Sequence, residues 1–284
     1  MTGLLNIHQR IIRRTLKSKG FRSVLSGPMG AQMHTYEYSQ GPGAMTYVVL
    51  HGLGTHASAF APLLTRLRQT AAQIIAPELL GHGFSDSPIE GVTAQHTFAR
   101  LAEYLDAVIE EPVVLIGTSL GGAMAMKYAL AAPKKVSRLV LISPAGAPMT
   151  PDGFAQVRRF FNVKTAADGR AFIARLFHKP PWYRFLIGGE ITRQLSRGAI
   201  QSFLSPDADI EPMSADELGE LNPPTLLLWG QSERLLPMEC YHWYQAHMPD
   251  TVRIETPEGF GHSPHLEIPG KLAERIVRFA IEET

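Results

Sequence analysis

The sequence predicts an α/β protein in which a mostly parallel, eight-stranded sheet is covered by helices on both faces. Short apolar runs rich in β-branched residues alternate along the chain with amphipathic stretches of helical spacing. The chain has 284 residues and a mass of 31.3 kDa, which fits one large domain with an insertion. Hydrophobic residues make up 45% and charged residues 19% of the chain, a composition that excludes extended disorder.

The predicted elements follow one another in a regular order. Strands are expected at 21–26, 31–39, 45–51, 72–77, 112–118, 136–143, 224–229 and 251–256, and helices at 59–69, 93–110, 119–132, 238–247 and 264–283. Thr93 is a candidate N-cap, and Pro133 helps to end the helix before it. The alternation stops over 147–215, a stretch rich in aromatic residues, Arg and Lys, which predicts an inserted helical cap. The core is therefore expected at 21–146 and 216–284.

Residues 1–20 are predicted to form a basic helical segment. Leu5, Ile12 and Leu16 recur at helical spacing, with the basic residues largely on other faces. This pattern favours a helix docked on the domain, and a helix lying on a membrane surface is the alternative. Six basic residues precede Glu37, the first acidic residue: Arg10, Arg13, Arg14, Lys17, Lys19 and Arg22.

Composition and missing motifs exclude several classes of protein. A net charge of +1 and a pI near 7.9 give no basic field for a polyanion, so no nucleic-acid partner is expected. Cys240 is the single cysteine, and neither a zinc motif nor a phosphate-loop lysine occurs, so neither metal nor cofactor is expected. No apolar run approaches the ~20 residues that span a bilayer. We therefore expect a soluble protein in a reducing compartment, which is the cytoplasm. Any membrane contact is expected to be peripheral.

The first chemical motif is a strand, a sharp glycine-flanked turn and a helix around Ser119. The apolar run 113–116 leads into Gly117-Thr118-Ser119-Leu120-Gly121, which small residues follow. In such a G-x-S-x-G turn the glycines avoid collisions with strand and helix, and the serine hydroxyl is exposed at the apex. The helix N-terminus adds backbone N–H groups that favour negative charge. Ser119 is therefore the predicted nucleophile.

A second glycine-rich turn follows the buried strand 45–51. A tetrahedral intermediate at Ser119 needs two N–H groups directed at its oxyanion. Leu120, directly after the nucleophile, can supply one, and Leu53 in the turn His51-Gly52-Leu53-Gly54 is predicted to supply the other. His51 is interpreted as a structural histidine that binds the loop backbone.

These motifs resemble the α/β-hydrolase superfamily over about residues 21–284, and most closely its bacterial esterases and monoacylglycerol-lipase-like branch. The resemblance rests on the His-Gly turn, the Ser119 turn and three further segments: Pro77-Glu78-Leu79-Leu80-Gly81-His82-Gly83-Phe84-Ser85-Asp86, Leu227-Leu228-Trp229-Gly230-Gln231-Ser232-Glu233 and Gly261-His262-Ser263-Pro264-His265-Leu266-Glu267-Ile268-Pro269. It implies an α/β-hydrolase fold with a catalytic triad of Ser, Asp or Glu, and His in chain order.

The resemblance also implies the base and the acid. His262 follows the last strand at the family position of the base, and His265 is its nearest rival. The acid is expected three residues after Gly230, where most relatives carry aspartate and this chain has Glu233; Asp207 and Asp209 in the cap are weaker rivals. Glu78 also replaces a usual aspartate, and we interpret it as a turn-capping carboxylate.

The cap holds seven of the chain's 13 phenylalanines. Because ligands of open α/β sheets bind at the strand ends that such a cap covers, an apolar acyl site is expected, with Phe154, Phe160, Phe177 and Trp182 as candidate substrate-binding residues. The sequence predicts a serine carboxylesterase or lipase-like hydrolase that cleaves short to medium acyl esters through an acyl-enzyme without a cofactor.

Two alternatives to the esterase remain open. One is a carbon–carbon bond hydrolase of the same fold, although relatives of that kind usually carry Asn before the nucleophile and an aromatic residue after the histidine, where this chain has Thr118 and Ser263. The other is a non-catalytic, ligand-binding member of the superfamily. The sequence gives no indication of oligomeric state.

Overall fold

The computed structural model describes residues 3–39, 45–88, 91–205, 208 and 211–282. Within these ranges the strands form one eight-stranded sheet of order β1-β2-β4-β3-β5-β6-β7-β8. The strands are β1 (Arg22–Ser26), β2 (Met33–Ser39), β3 (Met45–Leu50), β4 (Ala71–Pro77), β5 (Val113–Thr118), β6 (Val136–Ile142), β7 (Thr225–Leu228) and β8 (Arg253–Glu255).

The sheet is antiparallel only at one edge. β2 runs antiparallel to both β1 and β4, and all other neighbouring strands are parallel. The central strands are continuous apolar runs because helices cover both of their faces. All six residues of β5 are buried, and Ile116 of β5 lies between Val49 of β3 and Val140 of β6. The predicted fold class is confirmed.

Helices cover both faces of the sheet. The helices are α1 (Leu4–Ser18), α2 (Ala61–Leu67), α3 (Ala94–Val108), α4 (Leu120–Ala131), α5 (Pro151–Phe161), α6 (Ala166–Leu176), α7 (Arg184–Leu195), α8 (Gly198–Gln201), α9 (Ala215–Gly219), α10 (Met238–His247), α11 (Pro264–Glu267) and α12 (Pro269–Ile281). Side chains alternate along each strand, so Val48 and Leu50 contribute to one core, and Tyr47 and Val49 to the other.

Two predicted helices differ from the structure at their ends. The helix expected over 264–283 is divided into α11 and α12, because Pro269 disfavours the helical conformation of Ile268, which has φ −137° and ψ 51°. The helix expected over 59–69 begins as a 3-10 turn, Ala57–Phe60, before α2. Thr93 caps α3 as predicted, since its hydroxyl accepts a hydrogen bond from His96 N at 3.1 Å.

The described part of the chain between β6 and β7 contains the helices α5 to α9. The predicted cap boundary at 215–216 falls inside α9, which the Ser214 hydroxyl caps by accepting a hydrogen bond from Glu217 N at 3.2 Å. Asp207 and Asp209, the two alternative acids, lie outside the described residues.

α1 docks on the domain through one face. The Leu16 side chain is fully buried in the core beside Ile12. The helix ends before Gly20, whose φ of +90° is a left-handed conformation that favours glycine. At the other end the Glu190 carboxylate of α7 accepts hydrogen bonds from Leu4 N at 2.6 Å and Leu5 N at 2.7 Å. An acidic group is favoured there because the first amides of a helix lack partners within it.

Candidate active site

Ser119 lies at the tight turn between β5 and α4. Its φ of 54° and ψ of −121° are unusual for a residue with a side chain, and such strain persists only where the surroundings enforce it. Ser119 N donates to Ile142 O at 3.1 Å, and Ser119 O accepts from Ala145 N at 2.9 Å. The end of β6 therefore holds the turn from both sides.

The two glycines of the turn are required by close packing. A Cβ on Gly117 would lie 2.3 Å from Gly121 O, and one on Gly121 would lie 2.4 Å from Leu50 O. Backbone atoms cannot yield at these positions as a flexible side chain could. Removing the side chains lets α4 approach the ends of β3 and β5, which directs Ser119 to the carboxyl edge of the sheet.

Glu233 and His262 form a buried pair at the same edge. Glu233 follows β7 and His262 follows β8, and Glu233 Oε2 lies 2.7 Å from His262 Nδ1. The Glu233 and His262 side chains are only 1% and 6% exposed. The second carboxylate oxygen, Glu233 Oε1, accepts from Leu235 N at 2.8 Å and from Leu236 N at 3.0 Å. The carboxylate is thereby fixed in its loop with one oxygen directed at the imidazole.

The environment keeps Glu233 ionised. Burial alone raises the pKa of a carboxyl group, but the facing His262 ring, the Ser143 hydroxyl and the Leu236 amide together lower the pKa of Glu233 below its usual value. An ionised acceptor at His262 Nδ1 holds the proton on that nitrogen. His262 Nε2 is then the nitrogen that can accept a proton.

Backbone hydrogen bonds connect the loops that carry the three side chains. Ser143 N donates to Leu228 O at 2.9 Å, and Ser232 N donates to Phe260 O at 3.0 Å. The loops after β6, β7 and β8 are therefore joined in sequence, and Ala145 N extends the connection to Ser119. Ser143 has a φ of 39° and was not among the predicted site residues.

The two predicted oxyanion donors border the same cavity as Ser119. Leu53, in the loop after β3, and Leu120, the first residue of α4, both line it. Neither backbone N–H donates a hydrogen bond to another of the described residues. A Cβ built on Gly52 would lie 3.6 Å from Ser119 Oγ, so the Leu53 loop passes directly beside this hydroxyl. Both amides are available to an oxyanion.

Two buried histidines hold the Leu53 loop. His51 Nε2 accepts from Leu79 N at 3.0 Å, and its Nδ1 lies 2.8 Å from Gly52 O. His82 Nε2 accepts from Gly54 N at 3.1 Å, and its Nδ1 lies 2.9 Å from Leu80 O. Each ring uses one nitrogen as acceptor and the other as donor, which requires the neutral form. Burial lowers the pKa of His51 to about 3 and that of His82 to about 4.

The rival residues have other surroundings. His265 is buried and stacks on Phe60, with ring centroids 3.8 Å apart, and burial lowers its pKa to about 3. Glu78 Oε2 accepts from Phe84 N at 2.7 Å and lies 2.9 Å from His34 Nδ1. Glu78 therefore caps the turn after β4.

The cavity above Ser119 has a volume of about 560 Å³, within the usual range for small-molecule sites. α5 contributes Phe154, Val157 and Phe161 to its wall at the i, i+3, i+7 spacing of one helix face. Phe203 and Met124 add further apolar surface. Among the lining residues that the structure describes, Lys127 is the one basic side chain, and Glu211 is also present.

Only one of the four predicted substrate-binding aromatics lines this cavity. Phe154 does, whereas Phe160 lies on the next face of α5, with Arg175 Cζ 4.1 Å from its ring centroid. Phe177 is buried at the end of α6, where the backbone around it packs against Gly261 and supports the His262 loop. Trp182 is 72% exposed, outside the cavity. None of these three residues lines the cavity, whereas Phe161, seven residues after Phe154 on the same helix face, does.

Neither a metal-binding cluster nor a membrane-spanning helix occurs in the described ranges. No group of three or more His, Cys, Asp or Glu side chains is arranged to hold a metal ion there. No helix in the described part of the chain is both long and apolar enough to cross a bilayer.

Comparison with known proteins supports the same fold. The chain is 28% identical over 234 residues to a 2-hydroxy-6-oxononadienedioate/2-hydroxy-6-oxononatrienedioate hydrolase of Paraburkholderia xenovorans, which covers 77% of this chain and 80% of the relative. A membrane phospholipase A superimposes with a TM-score of 0.82 at 22% identity over 96% of this chain and 90% of that one. A carboxylesterase of Bacillus subtilis gives 0.77 at 20% identity, covering 98% and 99%. The sequence model of the alpha/beta hydrolase family matches residues 47–275, and the chain belongs to that family.

Proposed function

We propose that this chain is a serine carboxylesterase that cleaves short to medium acyl esters through an acyl-enzyme. The observation that carries the proposal is the buried Glu233–His262 pair at the edge of the sheet where the strained turn places Ser119 against the cavity. A nucleophile, a base and a group that orients the base are the minimum for this chemistry.

Acylation begins when Ser119 Oγ attacks the ester carbonyl carbon. His262 Nε2 accepts the hydroxyl proton, and the resulting imidazolium is stabilised by the Glu233 carboxylate at Nδ1. The carbonyl π electrons move to oxygen, which the Leu53 and Leu120 amides stabilise together with the N-terminus of α4. On collapse the C–O bond to the alcohol breaks, and His262 transfers its proton to the leaving oxygen.

Deacylation repeats these steps with water as the nucleophile. His262 removes a proton from water as its oxygen attacks the acyl carbon, and the acid leaves when the bond to Ser119 Oγ breaks and Oγ regains a proton. The products are one carboxylic acid and one alcohol, with the enzyme regenerated.

The cavity supports an apolar acyl group of limited length. Each methylene buried against the Phe154, Phe161 and Phe203 walls contributes about 0.8 kcal/mol, nearly a fourfold gain in binding. The cavity is bounded, so we expect activity to rise and then fall with chain length, with an optimum at about four to ten carbons. Monoacylglycerols are suitable candidates.

Carbon–carbon bond hydrolysis is the second candidate, because the curated relative from Paraburkholderia xenovorans bears the name of a dienedioate hydrolase. A dicarboxylate substrate needs cationic partners for both of its ends. In the described part of the cavity wall Lys127 is the one basic residue, and Glu211 adds a negative charge to the same wall. The cavity therefore suits a neutral ester better than a dianion.

The direct test is labelling by a fluorophosphonate, read by intact mass and peptide mapping. We expect one adduct, on Ser119, and a loss of kcat by about 10⁴ to 10⁶ in Ser119→Ala, because the triad acts as a unit. Ser18→Ala removes an exposed hydroxyl on α1 and is the matched control. Labelling at another serine, with full activity in Ser119→Ala, would exclude the assignment.

Substrate profiling separates the candidate functions. p-Nitrophenyl esters with acyl chains of about two to about sixteen carbons test the chain-length optimum, because this range extends beyond the length that the cavity is expected to hold. A 2-hydroxy-6-oxo-dienoate, followed by loss of its ultraviolet absorbance, tests carbon–carbon cleavage. Faster turnover of the dienoate would establish the second candidate, and no turnover of either class would indicate a ligand-binding protein.

A further inference from the structure

We propose that an exposed apolar surface on α1 and α7 binds anionic membranes. This surface, the α1–α7 patch, consists of Leu4, Ile7, Ile11, Trp182, Phe185 and Leu186, whose exposures range from 45% for Ile7 to 72% for Trp182. The proposal rests on the distribution of apolar and charged side chains and is independent of the proposed ester hydrolysis.

α1 has two apolar faces of different kinds. One face contains Ile12 and Leu16, which pack into the domain core. At 100° per residue, Leu4, Ile7 and Ile11 form a row about 130° around the helix from that face, 53%, 45% and 54% exposed. Docking accounts for the first face and leaves the second without a partner among the described residues.

The apolar row continues onto α7. Glu190 accepts the Leu4 and Leu5 amides, so the start of α1 lies against α7. Leu186 precedes Glu190 by four residues and therefore lies on the same side of α7, 59% exposed. Phe185 is 63% exposed, and Trp182 is in the segment leading into α7. Trp and Phe beside aliphatic residues are typical of helices that insert into the membrane interface.

The charge beside the row is uniformly positive on α1. Arg14, Arg10 and Lys17 follow the apolar row on one flank at helical angles, and all three residues are exposed. No acidic residue occurs in the sequence before Glu37. A row of exposed apolar side chains next to Arg and Lys is complementary to an anionic lipid surface, where headgroups attract the cations and the acyl boundary accepts the apolar side chains.

The same charges argue against a second copy of this chain as the occupant. A twofold dimer across the patch would bring the basic flank of one α1 near that of its partner, since the same surface is used twice. Like charges placed together in this way oppose association. A lipid surface of opposite charge has no such cost.

α7 also connects the patch to the candidate active site. At its far end Gln194 Nε2 donates to Gly54 O at 2.6 Å, and the position of a Cβ on Gly54 is 2.7 Å from Leu195. Gly54 follows Leu53, the predicted oxyanion donor. A membrane bound at Trp182 and Leu186 would therefore contact the same helix that holds the oxyanion loop.

The test is co-sedimentation with vesicles. The full chain is mixed with vesicles of phosphatidylcholine alone or of phosphatidylcholine and phosphatidylglycerol in equal parts. We expect binding to the anionic vesicles, weaker binding to the neutral ones, and a decrease as salt rises, because the electrostatic contribution is screened.

Paired variants separate the apolar and electrostatic contributions. Ile7→Ser with Ile11→Ser is expected to reduce the partition coefficient by at least about tenfold, against no change for Ile281→Ser, an exposed residue of α12. Arg10→Gln with Arg14→Gln is expected to reduce the partition coefficient on anionic vesicles by about 30-fold, since each basic residue contributes about fivefold to binding. Lys134→Gln with Lys271→Gln removes the same net charge from exposed sites elsewhere and is the control.

Trp182 supplies a second readout that does not depend on sedimentation. The chain has three tryptophans, and Trp229 is buried, so a blue shift on adding vesicles that disappears in Trp182→Phe would report insertion of this side chain. Circular dichroism and turnover of a soluble ester should be unchanged in the isoleucine and arginine variants.

Two results would overturn the proposal. One is the absence of binding to anionic vesicles at low salt, together with an oligomer that dissociates in Ile7→Ser with Ile11→Ser, which would assign the patch to a protein interface. The other is vesicle binding that neither variant pair reduces more than its control, which would place the membrane contact elsewhere on the surface.

Discussion

Replacement of Glu233 by glutamine tests the catalytic assignment through a single atom. Glu233 Oε1 accepts two backbone hydrogen bonds, from Leu235 N and Leu236 N, and Oε2 faces His262 Nδ1. A glutamine has one acceptor oxygen and one NH₂ group. If the NH₂ group faced the backbone amides of Leu235 and Leu236, hydrogen-bond donors would point at donors. The glutamine oxygen therefore stays at these amides, and the NH₂ group faces His262.

This orientation fixes the wrong form of the base. His262 Nδ1 must accept from the new NH₂ group, and its proton moves to Nε2, which can no longer receive the proton of Ser119. The equivalent change in a serine protease triad lowers kcat by about 10⁴ while the geometry is kept. We therefore expect Glu233→Gln to lose about 10⁴ in kcat, or about 5 kcal/mol of transition-state stabilisation.

The assay is steady-state hydrolysis of p-nitrophenyl butyrate, with the melting temperature measured in parallel. Glu217→Gln is the control, since Glu217 is an exposed residue of α9 that accepts a single backbone hydrogen bond, from Ser214 N at 2.7 Å. Asp207→Asn and Asp209→Asn should also have mild effects. A folded Glu233→Gln enzyme within about tenfold of wild type would refute the orienting role, and loss in a cap variant would move the acid there.

Two further predictions concern stability and selectivity. The pKa of His265 is about 3 in the folded chain and near 6.5 when unfolded, so acidification below about pH 6.5 protonates only the unfolded state and lowers stability. His265→Phe should reduce this pH dependence of the free energy of unfolding by about 1.4 kcal/mol per pH unit. The free energy is measured by urea unfolding between pH 7 and 5, and an unchanged dependence on pH would contradict a neutral, buried His265. Phe161→Ala should lengthen the preferred acyl chain by opening the cavity, whereas Phe160→Ala, outside the lining, should not; equal shifts on the p-nitrophenyl series would show that α5 has repacked.

Local sequence patterns predict the tight turn at Ser119 and most of the sheet. Ser119 was identified because its turn requires Gly117 and Gly121 at fixed spacing, and the central strands because buried parallel strands are continuous apolar runs. His262 and Glu233 came from family resemblance, and the structure places them 2.7 Å apart. The turn and the strands are encoded within a few residues each, whereas the Glu233–His262 pair is not.

Features that depend on distant parts of the chain were not predicted. The hydrogen bond from Gln194 to Gly54 joins residues 140 positions apart, and no local pattern indicates it. Phe160 and Phe161 are adjacent in sequence, so composition alone could not decide which faces the cavity; the phase of α5 decides it. Tertiary packing determines both cases.

The position of the cap in the sequence also affects how the chain is made. Ser119 precedes Glu233 and His262 by the whole of α5 to α9, so at ~5–20 residues per second the ribosome synthesises Ser119 about ten seconds before His262. Until β7 emerges, β6 is an edge strand, because its pairing with β7, which includes Leu139 with Thr225, has not formed. Most residues of this edge strand are apolar. The nascent chain is therefore prone to aggregation during this interval, and it still lacks the proposed base and acid. A chaperone that covers the β6 edge should therefore raise the soluble yield, and slower synthesis, which lengthens the interval, should lower it. Neither should change the specific activity of the finished protein.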